Sequence, residues 1–134
     1  MTEENIKKNI REELERAADV FNAATLLYDH SFINDAVSRL YYFLLYSIRA
    51  LLLSKGLEPK SHEGALRLFA QHFVKEKLIG TGYSHIFSKL MKYREEADYN
   101  PSYIFTKKDF VEYKKETEAL SEEIKAYLKG KGYL

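Results

Sequence analysis

The stretch YREEADYNPSY, residues 93 to 103, contains an arginine and an acidic residue that could act on a charged ligand. Arg94 and Asp98 are four residues apart, so on a helix they share one face and can form an ion pair. Tyr99 follows directly, and Pro101 then ends the helical pattern. Two interpretations stay open: a salt bridge at a helix end, worth well under ~1 kcal/mol if exposed, or a site where a guanidinium and a phenol bind an anionic substrate.

A second group of charged and aromatic residues lies on the second predicted helix. At about 100° per residue its members share one sector of the helix surface: Asp35, Arg39, Tyr42, Tyr46 and Arg49. Because the helix is otherwise apolar, a charge on it must be paired or must reach solvent. One interpretation is a buried Asp35–Arg39 bridge with packed tyrosines. The other is a groove for an anionic ligand or RNA, with guanidinium groups binding phosphate and tyrosine rings stacking on bases.

The four histidines predict no metal centre. A di-iron site in a helical bundle uses the motif Glu-x-x-His, but the residues three positions before the histidines are Leu27, Pro59, Phe69 and Gly82. The chain has no cysteine, which excludes disulfides and cysteine–zinc sites, and it lacks a Gly-rich phosphate loop. We therefore expect no metal and no cofactor. His62, in KSHEG, is either a surface or capping residue of the third helix or a proton carrier beside a bound phosphate.

Five stretches with helical periodicity must position these residues. The predicted helices cover about residues 3–28, 32–55, 62–75, 83–99 and a last stretch that begins after Thr106. Ser61 is a predicted N-cap, TKKD a capping box, and Gly56 a helix stop. Because the connections are short, neighbouring helices should be antiparallel. We predict an all-α, up-and-down four-helix-type bundle with five helices, a single domain over residues 1–134 whose ends, 1–3 and 130–134, are frayed.

The overall charge does not favour any class of polyanionic partner. The 134 residues include 21 basic and 20 acidic side chains, a formal net charge of +1, so any basic patch must be local. The N-terminal sequence MTEENIKKNIREELERA is acidic and amphipathic, which argues against a secretory signal. The apolar region 40–53 is too short and too polar to span a bilayer. We expect a cytoplasmic protein that does not bind membranes.

Three motifs in their order along the chain resemble those of the HEPN-domain family. They are SRLYY at 38–42, KSHEG at 60–64 and R-x-x-A-D-Y at 94–99, and the similarity runs from about residue 14 to 125. The sequence is most similar to the small stand-alone prokaryotic branch, often encoded beside a minimal nucleotidyltransferase. The resemblance implies a five-helix bundle that forms a homodimer, a nucleotidyltransferase partner, and a role in a toxin–antitoxin pair. For many relatives it also implies metal-independent RNase activity.

The sequence departs from the RNase motif of that family at one position. In those RNases an arginine is followed about one turn later by a histidine, and the pair acts on the RNA 2′-hydroxyl and the scissile phosphate at the dimer cleft. Arg94 matches the arginine, but Tyr99 stands where the histidine is expected. A tyrosine, with a pKa of about 10, is a poor base near neutrality. The tyrosine that some relatives carry beside the motif as an AMP acceptor is replaced by Pro101, so Tyr99 or Tyr103 would have to substitute.

Three functions follow as alternatives. The first is a dimeric binding module, whose Arg39, Arg94 and Tyr99 bind a nucleotide, RNA or the product of a nucleotidyltransferase partner. The second is a metal-independent endoribonuclease that uses Arg94 with Tyr99 or His62 in place of the usual histidine. The third is a purely structural helical dimer, in which the apolar stripe of the fifth helix and the tyrosine-rich faces form the interface.

Overall fold

The computed structural model describes residues 2 to 134, and the long elements in this range are all α-helices. The helices are α1 Glu3–Asp29, α2 Ile33–Leu53, α3 His62–Phe69, α4 Thr81–Tyr99 and α5 Lys107–Gly130. The predicted all-α bundle of five helices is confirmed. The third predicted helix is divided, because a π-helical turn, Ala70–Val74, continues α3. Met1, part of the predicted frayed N-terminus, lies outside the described residues.

Local capping interactions fix the helix boundaries. The Ser61 hydroxyl accepts a hydrogen bond from the Gly64 backbone N–H, which caps α3. Thr106 and Asp109 form the predicted reciprocal capping box at the start of α5. After α2, Gly56 takes a φ of 69°, the left-handed conformation that favours glycine at a helix stop. These signals lie within a few residues of each boundary, which is why sequence alone locates them.

Helix α2 is the central helix, and it packs against each of the other four helices. Its side chains from Ala36 to Leu53 supply the largest share of the core. The helix is 21 residues long, and by length and composition alone it could cross a membrane, although the prediction for residues 40–53 held that stretch to be too short. In the structure 72% of its apolar window is buried inside the bundle.

The apolar stripe of α5 faces the bundle interior. Its buried members are Phe110, Tyr113, Thr117, Leu120 and Ile124. The stripe is therefore packed within one copy, which argues against the alternative in which it forms an interface between copies. The end of the chain also contacts the bundle, because the Tyr133 hydroxyl donates a hydrogen bond to the Ser54 carbonyl oxygen at 3.2 Å.

One side chain ties the loop between α4 and α5 to the beginning of α2. Asn34 Nδ2 donates to the Tyr103 carbonyl oxygen at 2.7 Å, and Asn34 Oδ1 accepts from the Phe105 backbone N–H at 2.9 Å. The side-chain amide of Asn34 thus donates to one backbone group of the loop and accepts from another. These two hydrogen bonds hold the loop that follows α4 against the beginning of α2.

Candidate functional site

Helix α4 places Arg94 against two aromatic rings of α2. Arg94 Nη1 lies 3.1 Å from Asp98 Oδ2, so the predicted ion pair is present. The pair is not a surface pair, since the Arg94 side chain is only 14% exposed. Its guanidinium carbon lies 5.2 Å from the centre of the Tyr41 ring and 5.8 Å from that of Tyr42. A partly desolvated cation over tyrosine rings is a stronger interaction than an exposed salt bridge.

The same two rings contact His62, the first residue of α3. The imidazole centre lies 5.6 Å from the Tyr41 ring and 6.0 Å from the Tyr42 ring. Arg94 and His62, which come from different helices, therefore share one pair of tyrosines. We call these four residues the Arg94 cluster. Nothing in the sequence predicted that His62 would lie beside Arg94, because the proximity depends on how α3 folds back onto α2.

The electrostatic environment sets the protonation states in the cluster. Burial lowers the pKa of His62 below its ordinary 6.5, and the charges of Arg94 and Arg49 lower it further. The imidazole is therefore neutral at neutral pH and can accept a proton. Burial raises the pKa of Tyr41 above its ordinary value of 10, although both arginines oppose this, so its hydroxyl stays protonated and is a hydrogen-bond donor.

Three buried donor atoms in or beside the cluster have no acceptor among the described residues. They are the Tyr41 hydroxyl, Arg94 Nε and Arg49 Nε. Buried polar groups in folded proteins are nearly always hydrogen-bonded, and exceptions concentrate where a ligand, ion or water completes the site. Unpaired donors, two of which belong to guanidinium groups, favour a ligand rich in acceptor oxygens, such as a phosphate.

An open cleft of about 550 Å³ runs along α2 next to the cluster. Its lining residues are Leu27, Asp35, Ser38, Arg39, Tyr42 and Asp98; we call it the α2 cleft. Asp35 and Arg39 are both exposed and, in the part of the chain that is described, form no ion pair with each other. The prediction of a buried bridge between them was wrong, because this sector of α2 faces the gap between α1 and α4.

The remaining predicted residues of α2 point to other neighbours. The Arg16 guanidinium carbon lies 4.2 Å from the centre of the Tyr46 ring, and Arg16 Nη2 donates to the Tyr46 hydroxyl at 3.4 Å. Arg49 lines a separate cleft with Glu12 and Glu13.

The sequence did not indicate Arg16 or Glu13 as site residues. It also did not indicate a role for Tyr41, because the hydrophobic pattern of α2 placed this residue in the core. A tyrosine at a fully buried position is the one signal that could have indicated Tyr41, since its hydroxyl needs a partner.

The structure does not bring Tyr99 to the cluster. Tyr99 is the last residue of α4 and is 79% exposed. Tyr103 is half-buried, with its carbonyl oxygen held by Asn34. His62, and not Tyr99, is the titratable side chain that shares the tyrosine pair with Arg94. Over residues 2 to 134, no three His, Cys, Asp or Glu side chains form a group that could hold a metal ion.

Comparison with known proteins gives consistent results. The family model described as "HEPN domain" matches residues 10–127. Two proteins of Methanocaldococcus jannaschii are similar. "Putative toxin MJ0142" is 36% identical over 107 residues, which is 80% of this chain and 72% of the relative. "Putative toxin MJ0605" is 38% identical over 98 residues, 70% of this chain and 73% of the relative.

A bacterial protein is similar as well. The "UPF0332 protein" of Thermotoga maritima is 34% identical over 84 residues, or 63% of this chain and 64% of the relative. The matched region, residues 10–127, contains all four members of the Arg94 cluster and the whole α2 cleft. This chain belongs to the HEPN-domain family.

Proposed function

We propose that this chain is a toxin-like HEPN module of the cytoplasm that binds phosphate groups of RNA or of a nucleotide at the Arg94 cluster. The observation that carries the proposal is that Arg94 and His62 share the Tyr41–Tyr42 pair at the edge of an open cleft. The toxin names of two relatives support a role in a toxin–antitoxin pair.

The chemistry of the cluster suits a phosphate group. Arg94 Nη1 donates to Asp98, but Nε has no hydrogen-bond partner among residues 2 to 134, so the guanidinium can donate to a second anion. Tyr42 is half-buried and lines the α2 cleft, where a base can stack on its ring. Arg39, exposed and without an ion-pair partner among the described residues, adds positive charge along the path of the backbone.

RNA binding at low salt tests this proposal. A fluorescently labelled single-stranded RNA is titrated with the wild-type chain and with Arg94→Gln, which removes the charge but keeps a polar side chain. Lys92→Gln, an exposed residue of the same helix, is the matched control. We expect wild type and the control to bind and Arg94→Gln to lose about tenfold or more in affinity. Equal binding by all three proteins would show that RNA does not occupy the cluster.

A second function is favoured by the position of His62. In a metal-independent endoribonuclease a base removes the proton of the RNA 2′-hydroxyl, and the oxygen attacks the adjacent phosphorus. The bond to the 5′-oxygen of the next nucleotide breaks, which leaves a 2′,3′-cyclic phosphate and a 5′-hydroxyl. Neutral His62 can take the first proton and return it to the leaving oxygen, and Arg94 can stabilise the charge on the phosphate.

Cleavage of a mixed RNA substrate in EDTA separates this function from binding alone. The RNase proposal predicts cleavage by wild type and by Tyr99→Phe, and none by Arg94→Ala or His62→Ala. Loss of activity in Tyr99→Phe would instead assign the missing role to the exposed tyrosine. No cleavage by wild type, together with RNA binding, would leave the binding module. Neither cleavage nor binding would leave the structural dimer.

The apolar end of the bundle supports a homodimer as part of the proposal. Phe32 is 58% and Ile104 78% exposed, and both border one depression that also includes Asp35. Asp35 lines the α2 cleft too, so a second copy that covers the apolar end would also close over the cleft.

We further propose a nucleotidyltransferase as the antitoxin partner. Failure of the two proteins to co-purify after co-expression would exclude this partner.

A further inference from the structure

A second cleft lies between α1, the C-terminal half of α2 and the loop that leads to α3. Its volume is about 280 Å³, near the lower end of the range for small-ligand sites, roughly 300–1,000 Å³. Apolar side chains line one part of it: Leu53, Leu57 and Pro59. Asn9, Arg49 and the carboxylates of Glu12, Glu13 and Glu58 line the remainder. This cleft, which we call the Arg49 cleft, therefore combines an apolar wall with one guanidinium group and three carboxylates.

Arg49 and Glu13 both face the cleft without satisfying each other. Arg49 Nε is buried and has no hydrogen-bond acceptor in residues 2 to 134. Glu13 Oε1 lies 3.6 Å from Arg16 Nη1, but Glu13 Oε2 is buried and has no donor within the described chain. A ligand that accepts hydrogen bonds on one edge and donates them on the next would satisfy both side chains.

We propose that the Arg49 cleft binds a guanine base, an inference that rests on the proposed binding of RNA or a nucleotide. Guanine has two adjacent donors, N1–H and the N2 amino group, which a single carboxylate such as Glu13 can accept. It also has two adjacent acceptors, O6 and N7, which match the fork of a guanidinium. Adenine and cytosine each offer a single donor group, the exocyclic amine, and uracil a single N–H between two carbonyls. Among the four bases, guanine alone matches both side chains bidentately.

The Arg49 cleft and the Arg94 cluster are close enough to serve one nucleotide. The charge of Arg49 influences both His62 and Tyr41, which are members of the cluster. Tyr42 and Arg49 lie on the same face of α2, seven residues apart, a rise of about 10 Å along the helix. A nucleotide covers such a span with its base at one end and its phosphate at the other. The two sites would therefore read the base and hold the phosphate of the same ligand.

Calorimetric titration of the full chain with three 5′-monophosphates tests the assignment. The ligands are GMP, IMP and AMP, because IMP differs from GMP only by the loss of the N2 amino group. We expect GMP to bind about tenfold or more tightly than IMP, and more tightly than AMP. Glu13→Gln should reduce the preference for GMP over IMP. Glu122→Gln, an exposed carboxylate of α5 that pairs with Lys125, is the control and should leave it unchanged.

The outcomes separate this inference from the function on which it rests. Equal affinities for GMP, IMP and AMP, all lowered by Arg94→Gln, would overturn the guanine assignment and leave phosphate binding intact. A GMP preference that persists in Glu13→Gln would also overturn it. Absence of binding by any of the three nucleotides, and of RNA, would overturn the inference and the proposed function together. Thermal unfolding of each variant, followed by circular dichroism, shows that it is folded.

Discussion

The Arg94 guanidinium carbon lies 5.2 Å from the centre of the Tyr41 ring, and Tyr41 has no solvent exposure. The fully buried ring also stacks on Phe87 of α4, with 5.6 Å between ring centres and 7° between planes. Arg94 thus contacts the Tyr41 ring, which burial and stacking hold in place, on one side and Asp98 on the other. A charge fixed in this way needs little reorganisation when an anion arrives, which is what a binding site requires.

Asp98 should weaken anion binding, because its carboxylate competes for the Arg94 guanidinium. We predict that Asp98→Asn increases the affinity for RNA several-fold, while Arg94→Gln decreases it. The pair is partly buried, so Asp98→Asn should lower the free energy of unfolding by about 1 kcal/mol or less. Fluorescence anisotropy at fixed low salt measures the first effect, and urea denaturation the second. Asp19→Asn, an exposed residue of α1, controls for net charge; an equal gain in both variants would contradict a local competition.

The pKa of His62 should report on both arginines and on the ligand. Because Arg94 lowers this pKa, we expect Arg94→Gln to raise it. A phosphate bound at the cluster should also raise it, since a nearby negative charge favours the imidazolium. Titration of the imidazole proton signals by NMR, with His62→Gln to assign the resonance, measures each shift. An unchanged pKa in the presence of saturating RNA would place the phosphate elsewhere.

The His62 imidazole should also make the free energy of unfolding depend on pH. The pKa of His62 is lower in the folded than in the unfolded chain, so the unfolded chain binds more protons once the pH falls below about 6.5. The free energy of unfolding contributed by His62 is therefore fully present above that pH and decreases as the pH falls toward the folded pKa. His62→Gln should flatten this part of the profile, measured by urea denaturation at several pH values.

The sequence was sufficient for the helices and insufficient for the contacts between them. Ser61, Thr106 and Gly56 act on their own helix ends, so their roles could be predicted from a few neighbours. The ion pair of Arg94 with Asp98 is equally local, four residues along one helix. The placement of His62 beside Arg94 depends on the packing of α3 and α4 against α2, and no local pattern sets it. The same reason explains why Arg16 was missed and why Asp35 and Arg39 were wrongly paired.

Asn34 should contribute more to stability than its polar character suggests. Its amide makes both hydrogen bonds to the loop between α4 and α5, at 2.7 and 2.9 Å. We predict that Asn34→Ala lowers the free energy of unfolding by about 1–3 kcal/mol, because it leaves two partly buried backbone groups unpaired. Urea denaturation measures the loss, and Asn22→Ala on the exposed face of α1 is the control. A loss as small as in the control would mean that the loop is held by its aromatic contacts alone.

If the proposed homodimer forms through the exposed apolar end of the bundle, substitutions at that end should disrupt it. Phe32 and Ile104 border the same depression, and neither is needed for the core of one copy. We predict that the double variant Phe32→Ser, Ile104→Ser shifts the chain from dimer to monomer, as measured by sedimentation velocity, while its thermal stability as a monomer changes little.

Leu78→Ser is the matched control for that experiment, because Leu78 is also exposed but lies in the loop before α4, at the opposite end of the bundle. It should leave the dimer intact. If the double variant stays dimeric, the copies meet through a face other than the one that Phe32 and Ile104 border. If the variant is monomeric and also loses RNA binding with Arg94 unchanged, the second copy completes the site, because Asp35 borders both the apolar depression and the cleft.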